Sequence, residues 1–370
     1  MKRWMTALGL LLGLTGGAGA QEGSARGLLY TMSNETAGNR ILAFEIGANG
    51  RLRDAGSTPT GGLGSGGGLG NQDGLVLSPG ARWLLAVNAG SHEISLFSAR
   101  GSMPVLLDKV ASGGRRPVSI ALRGRLVYVL NAGGAVGDAD NVALFRISLG
   151  DRLAPVAGTT RALSAASTGP AQVSVSPDGD FLVVTERMTD KIVTIPLDDD
   201  GLPGAPLVQD SAGATPFGFA FGKRGVLLVS EAFGGAADAS ALSSYRMDEN
   251  GALAVLAASV PTTESAACWV VVTPDGRFAY VTNTGSGTIS GYAVGRDGQL
   301  RLITAGGVTG NSGSGSGPID LALTPDGRML FDLRRPFGAI GAFLVQPNGQ
   351  LVATRGADGL PTSSNGLVVR

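Results

Sequence analysis

An all-β fold, a seven-bladed β-propeller with four antiparallel strands per blade, is predicted by three observations on the sequence. A unit of short apolar runs recurs seven times, at spacings of 43 to 55 residues. Tight-turn dipeptides separate the runs within each unit. The chain of 370 residues carries 60 glycines and 43% hydrophobic residues, a mixture that suits many short strands and turns. Repeats of about 40 to 50 residues holding four short strands are the sequence sign of propeller blades.

The clearest copy of the unit, AACWVVVTPDGRFAYVTNTGSGTISGY, runs from Ala266 to Tyr292. It reads as an inner strand A (WVVV), a TPDG turn, a second strand B (RFAYVTN) and a third strand C (TISGYAV). The same triplet recurs in LVLSPGARWLLAVN with EISLF, VSIALRGRLVYVLN with NVALFRI, and VSVSPDGDFLVVTE with KIVTIPL. It continues in FGFAFGKRGVLLVSE with ALSSYRM and in LALTPDGRMLFDLR with GAIGAFLV, and GLLYTMSN with RILAFEI begins the series without a leading strand. The last residue of strand B gives the markers Asn34, Asn88, Asn131, Glu186, Glu231, Asn283 and Arg334. A fourth strand D follows an Asn-Gly or Asp-Gly turn in NGRL, DGLPG, NGAL, DGQL and NGQL, dipeptides that suit hairpin positions needing positive φ.

The chain ends complete the scheme. Residues 1–20 read as a secretory signal peptide, with Lys2 and Arg3, a short apolar run and Ala18-Gly19-Ala20 as the cleavage site. Residues 21–370 then form a single propeller domain, expected in the periplasm or outside the cell and as a monomer. The final NGLVVR (Asn365 to Arg370) matches DGLVLS (Asp73 to Ser78). The C-terminal strand is therefore expected to close the first blade and seal the ring.

This strand order puts the A–B and C–D turns on one face, and the B–C loops and D–A connections on the other. The second face carries the length variation, including GGLGSGGGLGNQ (Gly61 to Gln72) and GGVTGNSGSGSGP (Gly306 to Pro318). It is where a binding site is expected. Both glycine-rich runs read as flexible connections. Gly62 to Gly67 fits G-x-G-x-x-G in form but enters no helix, so a nucleotide cradle is excluded. The 29 basic and 29 acidic residues balance, with no long run of either sign, which excludes nucleic acid as a partner. No segment after the signal is apolar for long enough to span a membrane.

The seven units, with LAVN, YVLN and YVTN in the second strands and PDG turns, resemble the seven-bladed lactonase propellers. That family includes 6-phosphogluconolactonase and carboxymuconate cyclase, and the resemblance covers nearly all of residues 21–370. It implies hydrolysis of a small cyclic ester. FGFAF, SEAFGG, SALSSY and TNTGSGTISGY look like an exported branch. The phosphogluconolactonase members carry Pro-His-x-His at the start of the fourth unit, where this chain has Pro170, Ala171 and Gln172 and no histidine.

Candidate chemistry starts from the markers. Asn commonly satisfies a turn with its side chain, so Glu186, Glu231 and Arg334 depart from that logic. A carboxylate at a partly dry channel mouth gains basicity and can activate water, which makes Glu186 and Glu231 the catalytic candidates. Arg334 or Arg335 would hold a substrate carboxylate or an oxyanion. Gln172 and Asp320 on the inner strands, with Asn131 and Asn283, complete the substrate-binding candidates, and Asp73 and Trp269 lie at the same level. Trp269 reads first as packing between blades, Cys268 as a buried inert thiol, and His92, the one histidine, as a turn residue. No cofactor is expected. The alternative is a divalent cation such as calcium on Glu186, Glu231, Asn131 and Asp320 oxygens.

The resulting expectation is an exported lactonase acting on a small-molecule substrate at the variable-loop mouth. The alternative is a non-catalytic exported propeller that binds a ligand or a protein partner.

Overall fold

The computed structural model describes residues 27–133 and 139–370. The segment read as an export signal lies outside the described residues. The fold is a seven-bladed propeller of antiparallel sheets; blades 2 to 7 take their four main strands in sequence order, and blade 1 takes its innermost strand from the C-terminal end. Blade 2 runs through Leu75–Leu77, Trp83–Asn88, Glu93–Ser98 and Val105–Ala111, and blade 7 through Pro318–Leu323, Met329–Arg334, Ala339–Val345 and Leu351–Asp358. In blades 3 and 6 a further two-residue strand, Arg161–Ala162 or Gly310–Asn311, pairs with strand C beyond a shortened strand D.

Closure takes the form expected. Asn365–Val369 pairs antiparallel with Leu28–Met32, with Leu29 opposite Val369 and Thr31 opposite Leu367. The last pair is completed by Leu28 and Arg370, each N–H meeting the other's carbonyl at 3.0 and 2.9 Å. Most of the remaining strand B segments, such as Leu126–Asn131 and Phe181–Glu186, are buried at every position. That follows from their place between neighbouring blades, and it explains why they read as unbroken apolar runs rather than alternating ones. Strand D is the outer edge and is partly or fully exposed along its length, as in Val105–Ala111.

The turn motif has a local physical basis. At Thr273-Pro274-Asp275-Gly276 the Thr273 hydroxyl bonds Asp275 Oδ1 at 2.6 Å and accepts the Phe278 N–H at 3.1 Å. Asp275 Oδ1 also accepts the Arg277 N–H, and Gly276 takes φ of 75°, a conformation glycine adopts without strain. Thr324, Asp326 and Gly327 repeat the arrangement in blade 7.

Two sequence readings change. In the first unit strand B ends at Met32, and Ser33, not Asn34, meets Arg40, its N–H donating to the Arg40 carbonyl at 2.9 Å and its Oγ accepting the Arg40 N–H at 3.1 Å. Asn34 has rotated to φ of 50° and uses its side chain on Ser65 and Gly67 of the following connection. The Gly61 to Gln72 run is likewise no loose tether. Leu69, Asn71 and Gln72 are buried. Gly64 lies against Asn34 so closely that a Cβ there would come within 2.0 Å of its backbone carbon.

Leu367, on the closing strand, is 4% exposed. Leu367→Ala is expected to cost about 2–5 kcal/mol, the usual range for a buried leucine truncation, measured by denaturant unfolding. A loss under about 0.5 kcal/mol would show that ring closure does not depend on this strand.

Candidate functional site

The inner strands share a bulge near their first residues, where register slips between Pro170 and Gln172, Pro216 and Phe219, Ala267 and Val270, and Pro318 and Leu321. The N–H groups freed by the bulge are met by the Ser or Thr that precedes the marker. Gly218 N–H donates to Ser230 Oγ at 3.1 Å and Trp269 N–H to Thr282 Oγ1 at 3.0 Å. That gives the repeated Thr-Asn and Ser-Glu endings a structural reason.

On the channel side each inner strand has a free edge, and side chains from its neighbours close it. Ser119 Oγ accepts the Val173 N–H of the next blade, and Gln172 Oε1 accepts that of Phe219 at 2.6 Å. Blade 5 has Gly218 at the equivalent position. Its place is taken by Gln72, which crosses from the blade 1–2 connection to accept the Val270 N–H at 3.1 Å and donate to the Val270 carbonyl at 2.9 Å. A Cβ on Gly218 would meet Gln72 Oε1 at 2.2 Å, so the glycine is what admits the crossing side chain. Asp320 Oδ1 accepts the Leu321 N–H at 2.8 Å. Gln172 and Asp320 thus lie on the channel side, a choice between channel and blade interface that strand alternation alone left open. Trp269 instead packs on Phe217, ring centroids 5.1 Å apart.

The marker side chains turn away from the channel. Glu186 accepts the Ser164 N–H at 3.0 Å, the Ser164 hydroxyl and the Thr189 hydroxyl at 2.6 Å. Glu231 accepts Ser243 and Ser259 at 2.5 and 2.7 Å, beside Gly213. Burial raises the Glu231 carboxyl, opposed by those hydroxyls and the Gly213 N–H. Asn131 donates to the Ser112 carbonyl at 3.1 Å and Asn283 to Thr288 and Ser290. Ser112, Ser164 and Gly213 belong to connections arriving from the preceding blade, so Asn131, Glu186 and Glu231 fasten successive blades. Arg334 pairs with Asp332 within its own blade at 2.9 Å. The structure does not bring Glu186, Glu231 and Arg334 into one pocket. Nor do Glu186, Glu231, Asn131 and Asp320 converge as a cation set; among the described residues no three His, Cys, Asp or Glu side chains group for a metal.

What does converge lies at the variable-loop end of the channel. Asp73 sits half-buried in the left-handed region, φ 61°, and its Oδ2 accepts Gln172 Nε2 at 2.7 Å. Burial lifts its carboxyl to about 6 against that bond. Asp320 is raised well above the ordinary carboxylate range, first by burial and then by the charge of Asp73, against the N–H groups of Leu321 and Leu367.

Above them sit two arginines that each follow a marker. Arg187 donates from Nε to the Gly169 carbonyl at 2.9 Å and lies over the Phe217 ring at 5.0 Å. Burial lowers its proton affinity, and the nearby Arg116 charge lowers it further. The 61–72 connection passes between the two guanidinium groups. A Cβ on Gly70 would be 2.9 Å from Arg187 and one on Gly68 3.4 Å from Arg335. Arg335 Nε and Trp269 Nε1 are buried donors with no protein partner among the described residues. Cys268 is buried and its thiol is pushed up to about 12 by burial, which keeps it unreactive. His92 Nδ1 accepts the Arg116 N–H at 3.1 Å at a left-handed turn. Arg187 and Gln72 escaped the sequence reading. Arg187 was marked by occupying the same place as Arg335, one residue past a marker. Gln72 had no local signal, because its partner is 198 residues away.

The chain belongs to the lactonase seven-bladed β-propeller family, whose model matches residues 151–270 and 240–363. A proposed 6-phosphogluconolactonase of Bacteroides uniformis is 21% identical, with a TM-score of 0.73, covering 92% of this chain and 98% of that one. The periplasmic gluconolactonase of Pseudomonas aeruginosa is 20% identical, with a TM-score of 0.72, over 93% and 98% of the two chains. A protein of Lactobacillus plantarum is 20% identical, with a TM-score of 0.73, over 93% and 99%. No curated protein matches the sequence.

Two outcomes follow for stability. Glu186→Ala strips the Ser164 amide of its partner and is expected to cost about 1–3 kcal/mol in denaturant unfolding; an unchanged midpoint would remove its fastening role. Asp73 has a folded-state proton affinity above its unfolded one, so its ionisation weakens the fold as pH rises from about 4 to about 6. Asp73→Asn should therefore raise Tm at pH 8 and have a smaller effect at pH 4. An equal shift at both would contradict the burial of that charge.

Proposed function

We propose that this protein is an exported lactonase that opens a small cyclic ester at the variable-loop mouth of the channel. The observation that carries the reading is Asp73, a carboxylate open to the channel with its proton affinity raised to about 6 beside the more strongly raised Asp320. Ionised Asp73 takes a proton from a water as that water attacks the ester carbonyl carbon. Negative charge gathers on the carbonyl oxygen, where the Arg187 guanidinium supplies donors. The ring C–O bond then breaks, and Asp73 returns the proton to the departing oxygen. The product is a hydroxy acid.

Family membership and the fold shared with a periplasmic gluconolactonase support the reaction class and the export. No described helix is long and apolar enough to cross a membrane. The hydrogen bonds that occupy Glu186 and Glu231 assign the general base to Asp73 in this proposal rather than to either glutamate. The same occupation favours one second reading, a ligand-binding propeller without turnover.

Purified protein in a pH-stat, offered a panel of aldonolactones with and without chelator, is expected to open at least one of them. The rate should rise through pH about 6 as Asp73 ionises. Asp73→Asn should lower kcat by about 10²-fold or more, the usual worth of a general base, while leaving lactone binding within a few-fold. No opening of any lactone, with binding retained, would favour the second reading. Full turnover in Asp73→Asn would displace Asp73 from the mechanism.

A further inference from the structure

The connection between blades 1 and 2 crosses the channel mouth. Gly68 lies against Arg335 of blade 7, and two residues later Gly70 lies against Arg187 of blade 4. Blades 4 and 7 stand three apart, the widest separation in a ring of seven. A step of about 7 Å, the reach of two extended residues, thus carries the main chain over the axis between two inward-reaching arginines. Gln72 then enters the channel, its N–H donating to the Ala171 carbonyl at 3.0 Å and its side chain meeting Val270. Asp73 follows directly. Gly68-Leu69-Gly70 therefore lies between Asp73 and solvent on the variable-loop face.

The connection is fastened on both sides of this crossing but not within it. Before it, the N–H groups of Leu63, Ser65 and Gly66 donate to Ser91 Oγ, Asn34 Oδ1 and the Asn34 carbonyl, and the Gly67 carbonyl accepts Asn34 Nδ2 at 2.8 Å. After it, Asn71 Nδ2 donates to the Val118 carbonyl, and Gln72 is bonded as above. The main chain of Gly68, Leu69 and Gly70 makes no hydrogen bond among the described residues. What holds it down is the Leu69 side chain, 2% exposed, in the core that blades 1 to 4 share. Gly66 and Gly70 flank the crossing at φ of 73° and 64°, and glycine turns through such angles freely. A segment without ladder bonds, held by one buried side chain, opens at a lower free energy than the strands around it.

We propose that Gly68–Gly70 is a strap that closes the mouth, with Leu69 as its latch, and that it lifts to admit a small molecule to Asp73. The identity of the admitted molecule as a lactone rests on the reaction proposed above; the movement itself does not.

Cys268, the single cysteine of the chain, reports that movement. It is 6% exposed, and the Arg187 charge acts on its thiol. Its carbonyl and Gln72 Oε1 both crowd the Cβ position of Gly218. The thiol thus lies on the channel side of the crossing.

Labelling of Cys268 by methyl methanethiosulfonate, followed by intact mass on the full protein in rising urea, tests the strap. The rate should be far below that of the unfolded chain and flat at low urea, because lifting a strap exposes little surface. It should climb only where global unfolding takes over. Leu69→Ala should raise the flat rate at least tenfold, whereas Leu84→Ala, the same truncation in strand B of blade 2, should not. Gly68→Ala should lower it about two- to fivefold, since alanine restricts the lifted form while its Cβ clears Arg335 by 3.4 Å in the closed one. The Tm of each variant checks its folding. Immediate labelling of the unaltered protein would overturn the proposal. So would labelling that tracks global unfolding at every urea concentration, or equal rates in Leu69→Ala and Leu84→Ala. The expected labelling pattern in a protein that opens no lactone would uphold the strap and remove the reaction instead.

Discussion

Seven inner strands stand around one axis without pairing to each other, so every one of them carries an unpaired edge toward the channel. A buried N–H left without a partner costs about 1–3 kcal/mol, and that cost recurs around the ring. The chain meets it with side chains set at one position of each inner strand. Ser119 and Gln172 cap the next blade, and Gln72 crosses the channel where Gly218 has nothing to offer. Around this ring the blades are held apart at fixed angles, and the strand-end residues fasten the incoming connections outside it.

The site is a by-product of that constraint. At blade 2 the inner strand opens with Asp73 and Gly74, and a backbone carbonyl does the capping, since the Ile120 N–H donates to the Asp73 carbonyl at 2.9 Å. The Asp73 side chain is thereby released, with only Gln172 to neutralise part of its demand. Its left-handed backbone and raised carboxyl are forms of strain that tend to collect at working sites. Asp320 accepts the Leu367 N–H of the closing strand while the charge of Asp73 raises its proton affinity, which couples the closing strand to the protonation of Asp73.

Much of the fold was legible in the sequence because it is periodic. Seven strand-turn units, Pro-Asp-Gly turns and the match between Asn365 to Arg370 and Asp73 to Ser78 defined the blades and the closing strand without reference to any contact. The first unit was read one residue late because Asn34 resembles the markers in type, whereas the strand register ends on Ser33. The site was less legible. Glu186 and Glu231 stood out as departures from asparagine, yet a carboxylate accepts the same amide and hydroxyl bonds from an incoming connection that an asparagine oxygen would. Gln172, Asp320 and Trp269 occupy equivalent positions after the same bulge, yet two cap an edge while the third stacks on Phe217. Gln72 and Gly218 compensate one another across the channel, a relation that no local pattern carries.

The central claim is that chemistry happens at the mouth, over Asp73, rather than at the strand-end glutamates. A crystal structure with a lactam analogue of an aldonolactone, whose ring amide resists hydrolysis, tests it most directly. The account predicts the lactam carbonyl oxygen against Arg187, with its carbon facing Asp73 across a single water. A lactam bound with its carbonyl beside Glu186 or Glu231, those carboxylates having left Ser164 or Ser243, would contradict it.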